Sequence, residues 1–443
     1  MYKYAVLLND LETMIQEGRI KDGEKLPSIR DLAEQYACSK STIIRALADL
    51  EKKHLVYVVP KSGYYVVKKG YGSLEDTEPE VINFASASPD WHNFPYVDFQ
   101  HCINKAIDTY QKDLFVYGTP KGLPSLIKVM HKQLQQYQVF TGLNNIIITS
   151  GVQQAISILT QLPFPNGRTQ VLVEQPCYHI FMRLVKVLKL PAIGIQRTAQ
   201  GINLQELERI FATNQIKFFY TMPRFHNPLG TSYSREQKEA IIRLATKYDV
   251  YIVEDDHLSD YEQDAKADPI FAYDQNERVI YLKSFSKIIF PGLRVGVAVL
   301  PESLVDLFQT YKSITDIDSS MISQAALEIY LKSGMFERHR DKIRLPYIQR
   351  SQLLHQTLYP DRPAKSVCMH THLLLPKHVN VSLLLRRLQE QNVVLESIDR
   401  NYLEGTYKEK IVLINVSTVT QAQIEKGLKL VLNEMNHSRN HYM

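Results

Sequence analysis

Five short stretches in the later part of the sequence carry residue types suited to holding a flat, anionic small molecule. Ser150-Gly151-Val152-Gln153-Gln154 follows the apolar run Ile146–Thr149, and a glycine at a strand-to-helix turn leaves backbone N–H groups to cradle an anion. Tyr178, shortly after Val171-Leu172-Val173, offers an aromatic face that can lie over another ring. In Pro223-Arg224-Phe225-His226-Asn227-Pro228, Asn227 sets an amide donor beside a rigid turn. Glu254-Asp255-Asp256-His257 brings carboxylates to the end of a strand, and Ser284-Phe285-Ser286-Lys287 opens a segment that runs through Pro291 and Arg294 to Gly296. Taken singly each has a plain structural explanation: a glycine turn is usually only a turn, Asp255 could cap a helix, and most lysines are solvated.

These stretches need a scaffold that gathers strand ends. Residues 145–149, 170–173, 217–220, 250–253 and 278–282 are apolar runs alternating with helical ones, the pattern of a mainly parallel sheet covered on both faces. Ligands of such sheets sit outside the carboxyl ends of the strands, where each stretch lies.

In this order, the five stretches resemble the motifs of fold-type I, class I aminotransferases over roughly residues 81 to 443. The resemblance implies an α/β fold with a mainly parallel central sheet and a smaller C-terminal α+β subdomain from about 335 to 443, and it implies pyridoxal 5'-phosphate as cofactor. On it, Lys287 is the amine that links covalently to the cofactor, which requires a depressed pKa. Asp255 keeps the pyridine nitrogen protonated, Asn227 bonds the phenolic oxygen and Tyr178 stacks on the ring. The backbone at Val152 and Gln153, with Ser284 and Arg294, holds the phosphate. Tyr117 resembles the tyrosine that reaches the phosphate from another subunit, implying a homodimer. His257 stands where relatives have a tyrosine, and Leu413, in Leu413-Ile414-Asn415-Val416-Ser417, stands where they carry the arginine that clamps a substrate carboxylate. Leucine cannot make a bidentate clamp, which argues against full transamination.

The whole chain has 443 residues, 44% hydrophobic and 22% charged, which excludes disorder, collagen and coiled coil as descriptions of the whole. Its formal charge of +5 lies in one place: Ser39 to Lys69 holds seven basic residues against two acidic ones. Ahead of and within this segment, Leu7, Leu8, Leu11 and Ile15 predict a first helix. A second follows, with Pro27 in its first turn, Ser28 or Leu26 near its cap and Ile29, Leu32 and Ala33 inward. Ser39 can cap a third with Ile43, Leu47 and Leu50 inward. Leu55–Val59 and Tyr64–Val67 predict a hairpin. Three helices and a hairpin form a winged helix-turn-helix. Leu26–Ala33 followed by Ser39–Leu47 resembles the DNA-binding domain of the GntR family of bacterial regulators. By this resemblance Ser28 and Arg30 hold phosphates, Lys40, Thr42 and Arg45 address the major groove beside Ser39 and Ser41, and Lys61, Gly63 and Tyr64 form the wing tip.

Residues 1–69 are thus expected to read DNA, 70–80 to form a linker, and 81–443 to bind cofactor and to dimerise. This is the arrangement of the MocR subfamily of regulators, implying double-stranded operator DNA and a small-molecule effector (an amino acid, an amine or pyridoxal phosphate itself) as partners. The competing reading is a working aminotransferase with an accessory DNA-binding domain; a third is a scaffold that binds no cofactor. Four scattered cysteines, no signal-peptide core and no stretch of about 18 apolar residues give the expectation of a cytoplasmic, nucleoid-associated protein without a membrane partner. Cys368, His370 and His372 alternate along a strand, but no further ligand is recognisable nearby, so no metal site is expected.

Overall fold

Leu7, Leu11 and Ile15 are buried along one face of α1 (Lys3–Gln16), against Leu32 of α2 (Ile29–Gln35) and Ile43, Leu47 and Leu50 of α3 (Lys40–Lys52). β1 (Val56–Val59) pairs antiparallel with β2 (Gly63–Val66), and Val56 and Val66 close the same core. Two hydroxyls start the helices. Ser28 caps α2 in a capping box with Asp31, and Ser39 caps α3 by accepting from the Thr42 N–H at 3.2 Å. Pro27 therefore lies ahead of the cap and not in the first turn, because Ser28 supplies the acceptor that a proline cannot. Ala37, at φ 44°, makes the tight connection from α2 to α3.

The computed structural model describes residues 3–21, 23–53, 55–59, 62–67, 81–86, 88–264, 267–360 and 368–440. The chain divides into two units, Met1–Pro79 and Glu80–Met443. The expected linker, and Lys61 of the expected wing tip, lie outside the described residues.

In the larger unit β3 (Ile82–Asn83) precedes the strands of the main sheet: β4 (Ile146–Thr149), β5 (Gln170–Gln175), β6 (Ala192–Thr198), β7 (Gly201–Ile202), β8 (Ile216–Thr221), β9 (Tyr251–Asp256), β10 (Val279–Ser284) and β11 (Gly296–Val299). Their order is β4-β11-β10-β9-β8-β5-β6-β7, parallel except at β11 and the short β7. Alternate residues face opposite sides. Ile146, Ile148 and Tyr281 pack with Leu126 and Tyr330 on one face; Ile147, Ile280 and Leu282 pack with Ala155, Leu159 and Phe308 on the other. Both faces of the sheet are thus dry, as the continuous apolar runs require.

A smaller sheet follows, from β12 (His370–Leu374), β14 (Glu396–Ser397) and β15 (Ile411–Asn415) in the order β12-β15-β14, while β13 (Val393–Val394) pairs in parallel with β3. Val412, Ile414, Leu388, Ile424 and Leu428 form its core, joined by Ile82 and Phe84 from the beginning of the unit. The Phe84 N–H donates to the Val394 carbonyl at 2.9 Å, and the Asn415 N–H to the Phe84 carbonyl at 2.8 Å.

Candidate functional site

The parallel registry of β8, β9 and β10 places Tyr220 opposite Val253 and Leu282 opposite Asp255, so groups far apart in sequence end side by side. The Tyr220 hydroxyl donates to Asp255 Oδ2 at 2.6 Å. Asp255 Oδ1 is buried and accepts nothing among the described residues. Burial lifts this carboxyl to about 7, against the opposing hydrogen bond from Tyr220. A dry acceptor without a donor costs about 1–3 kcal/mol, so an incoming cationic N–H would be doubly favoured there. Lys287 lies just beyond the end of β10, and burial pushes its amine down to about 8. Roughly a tenth of such amines are neutral at pH 7, far more than at an ordinary lysine.

Thr149, Gly296 and Ser284 are in register across β4, β11 and β10, and this aligns three turns. Gly151, at φ 87°, precedes the helix Val152–Gln161, whose start no side chain caps. A Cβ on Gly151 would come within 2.9 Å of Arg294 Nη2, and one on Gly296 within 2.9 Å of the Val152 nitrogen. The concavity thus exists because both positions lack side chains. Arg294 adopts a left-handed conformation and donates from Nη2 to the Ser150 carbonyl at 2.8 Å. Tyr178 begins the helix His179–Val187, and its hydroxyl accepts from Gln153 Nε2 at 3.4 Å. Asp255, Lys287, Gly151, Ser284, Arg294, Gln153 and Tyr178 are therefore carried on neighbouring strand ends. Tyr117 is not among them: it is 80% exposed.

Asn227 is half-buried on a loop held by a network that the motifs did not reveal. Glu174, at the end of β5, is fully buried. It accepts from Arg197 Nη1 at 3.1 Å, Thr221 Oγ1 at 2.9 Å, the Tyr233 hydroxyl at 2.5 Å and the Met222 N–H at 3.1 Å. His226 Nε2 stands 3.3 Å from its other side. Burial opposes ionisation, but His226 and Arg197 outweigh it and hold the carboxyl at about 2. The Arg197 guanidinium also lies over the Tyr233 ring at 3.4 Å. Glu174 and these five partners thus tie three segments together, with Met222 at one end and Tyr233 at the other end of the loop bearing Asn227.

His257 is buried, with Nδ1 unpartnered among the described residues and its ring 6.3 Å from that of His370. Burial, then the neighbouring cations, hold its pKa well below the usual value, so the ring is neutral. His370 Nε2 pairs with the His226 carbonyl at 3.0 Å and His372 Nδ1 with the Leu229 carbonyl at 2.9 Å. The alternating histidines thus clamp the Asn227 loop from its other side, and among the described residues no group of three or more His, Cys, Asp or Glu is placed to hold a metal. Leu413 packs with Leu229, Ile398 and Tyr402, an apolar contact in place of a clamp.

In the smaller unit Arg30, Ser39, Lys40, Ser41 and Arg45 are exposed, as is Ser28, while Thr42 is partly covered. Ser39 Oγ lies 2.7 Å from Ser41 Oγ and 2.8 Å from Thr42 Oγ1, a hydroxyl cluster at the start of α3. The Arg45 guanidinium sits 5.2 Å from the Tyr4 ring, and Ile44 beside it is exposed. Gly63, at φ 130°, turns the hairpin; the Tyr64 ring packs on the core instead of standing free.

Residues 79–431 match the family described as Aminotransferase class I and II, and residues 3–66 match Bacterial regulatory proteins, gntR family. The HTH-type transcriptional regulator YcxD of Bacillus subtilis strain 168 is 55% identical over 98% of this chain and 100% of its own length. Aromatic-amino-acid aminotransferase 1 of Thermococcus litoralis is 26% identical over 79% of this chain and 87% of its own. Among solved structures, a kynurenine aminotransferase of Pyrococcus horikoshii, in complex with PMP, superposes with a TM-score of 0.73 at 25% identity, covering 81% of this chain and 92% of the other. Among the described residues no helix is long and apolar enough to cross a membrane.

Proposed function

The chain belongs to the class I and II aminotransferase family and begins with a gntR-type helix-turn-helix, the arrangement of MocR-type regulators, and from that premise we propose a transcriptional regulator governed by pyridoxal phosphate and a small-molecule effector. The observation that carries this reading is the buried, unpartnered oxygen of Asp255, one strand away from Lys287. When bound, the cofactor supplies an electron sink at the carbon bearing the ligand amine. The protein's own residues do the rest. Lys287 offers a neutral amine for attachment, with loss of water. Asp255 keeps the ring nitrogen protonated, Asn227 donates to the phenolic oxygen beside neutral His257, and Tyr178 covers the ring. The N–H groups of Val152 and Gln153, with Ser284 and Arg294, take the phosphate. Tyr117, exposed in one chain, reaches the phosphate of a second copy in a homodimer.

In the DNA-binding unit Lys40, Thr42 and Arg45 address base edges, Ser28, Arg30, Ser39 and Ser41 approach phosphates, and Gly63 and Tyr64 belong to the wing. The ligand acts by favouring one DNA-binding geometry of the dimer over another, which requires unequal affinity for the two. The similarity to an aromatic-amino-acid aminotransferase favours a second reading, a working transaminase, against which Leu413 stands.

Fluorescence anisotropy with DNA from upstream of the protein's own gene tests the proposal, with and without pyridoxal phosphate and amino acids. Lys40→Ala and Arg45→Ala are each expected to weaken specific binding by about 1–3 kcal/mol, and binding to fall with rising salt. Unchanged affinity in both variants overturns the assigned recognition helix. Sustained keto-acid production without DNA affinity favours the transaminase.

A further inference from the structure

The helix Met335–Leu358 carries Arg350 to the wall of a narrow cavity of about 30 Å³ that is also lined by Lys287, Tyr261, Met369 and Ser417. The same arginine lines an adjoining cleft of about 480 Å³ with Thr418, Val419 and Gln423. Arg350 therefore stands where the inner and outer spaces meet, with a lysine on the inner side.

Its Nη1 donates to the Val419 carbonyl at 3.3 Å, which draws the side chain onto the loop leaving β15, just past the Leu413–Ser417 stretch. Its Nε is buried and has no partner among the described residues. Asp90 is the acid in either wall, and its oxygens already accept from the His92 N–H at 3.1 Å and Asn93 Nδ2 at 3.0 Å. A permanently charged planar fork with a dry, unused N–H at the entrance to a site is suited to a carboxylate.

We infer that Arg350 binds the carboxylate of the effector, supplying from the long helix the charge that Leu413 cannot supply from β15. The effector is then an amino acid and not a simple amine. This rests on the reading of the Lys287 pocket given above.

The full-length protein, as wild type, Arg350→Ala and Arg350→Lys, is titrated with L-alanine, L-leucine and L-phenylalanine. Ethylamine, 3-methylbutylamine and phenethylamine, which lack only the carboxylate, serve as controls. One readout is the absorbance change of protein loaded with pyridoxal phosphate; the other is the thermal midpoint without cofactor. For the amino acids, half-response is expected to move about tenfold or more upward in Arg350→Ala, the loss of one charge-assisted pair, and to recover in part in Arg350→Lys. The amines are expected to respond alike in all three proteins. Arg350→Lys retains the stem and charge and decides the matter if Arg350→Ala does not fold: wild-type affinity for every amino acid in a folded Arg350→Lys, where the bidentate fork is gone, counts against the inference. Equal shifts for amino acids and amines overturn it, as does wild-type protein that prefers none of the amino acids over its amine. If the cofactor fails to load while amino acids still raise the thermal midpoint through Arg350, the cofactor reading falls and this one stands. If it loads and Arg350→Ala responds as wild type, the reverse holds; if neither readout responds, both fall.

Discussion

Lys287→Ala is expected to abolish covalent capture of pyridoxal phosphate. Wild-type protein incubated with the cofactor and reduced with borohydride gains one pyridoxyl phosphate on the peptide that carries Lys287; the variant gains none. The expectation follows from burial, which pushes this amine down to about 8 and so supplies the neutral nucleophile that an exposed lysine lacks at pH 7. It has a pH signature as well. Loading is expected to accelerate as pH rises from 6 toward 8 and to level off above, as the neutral fraction saturates. Circular dichroism of the variant checks that the sheet is intact. A reduced adduct on any other lysine, with Lys287 unmodified, removes the assignment.

Glu174→Gln is expected to cost about 3–5 kcal/mol in the stability of the larger unit at neutral pH, because Arg197 would remain buried with no opposing charge. The wild-type carboxyl, held at about 2, lies below its ordinary 4.5. Its stabilising contribution is therefore fully present above pH 4.5 and is lost as pH falls toward 2. The gap between wild type and variant should narrow over that range. Urea unfolding followed by circular dichroism at a series of pH values measures it, and a gap independent of pH would show that the carboxylate charge is not what the network uses. Since the same network holds the loop bearing Asn227, the variant is also expected to retain less cofactor at neutral pH.

The parts of this molecule that could be read from the sequence are those governed by local pattern. The apolar runs ending at Thr149, Val173, Tyr220, Val253 and Leu282 became strands of one sheet because continuous burial leaves them no other place, and turn residues marked where each one stops. Gly151 was legible as a turn, but that Gly296 makes room for the Gly151–Val152 backbone depends on β4 and β11, far apart in the chain, being neighbours in the sheet. Tyr220 looks like one more apolar residue at a strand end; only the order β8-β9 gives its hydroxyl to Asp255. The Glu174 network escaped for the same reason, since its members come from three segments and none has a spacing to betray it. At the other end of the chain, Pro27 and Ser28 compete for one turn, and the choice rests on which of them can accept a hydrogen bond.

The pairing of β3 with β13 decides which part of the larger unit holds the incoming chain. Ile82 and Phe84, the first buried residues after the segment leading from the smaller unit, are hydrogen-bonded to Asn392 and Val394 and packed among the C-terminal strands and helices. Farther along, the Ser86 and Ser88 carbonyls accept from the Ser417 hydroxyl. The incoming chain is therefore moored to the C-terminal subdomain and not to the edge of the main sheet. Residues 82–86 must therefore follow any displacement of the strands and helices packed around Ile82 and Phe84.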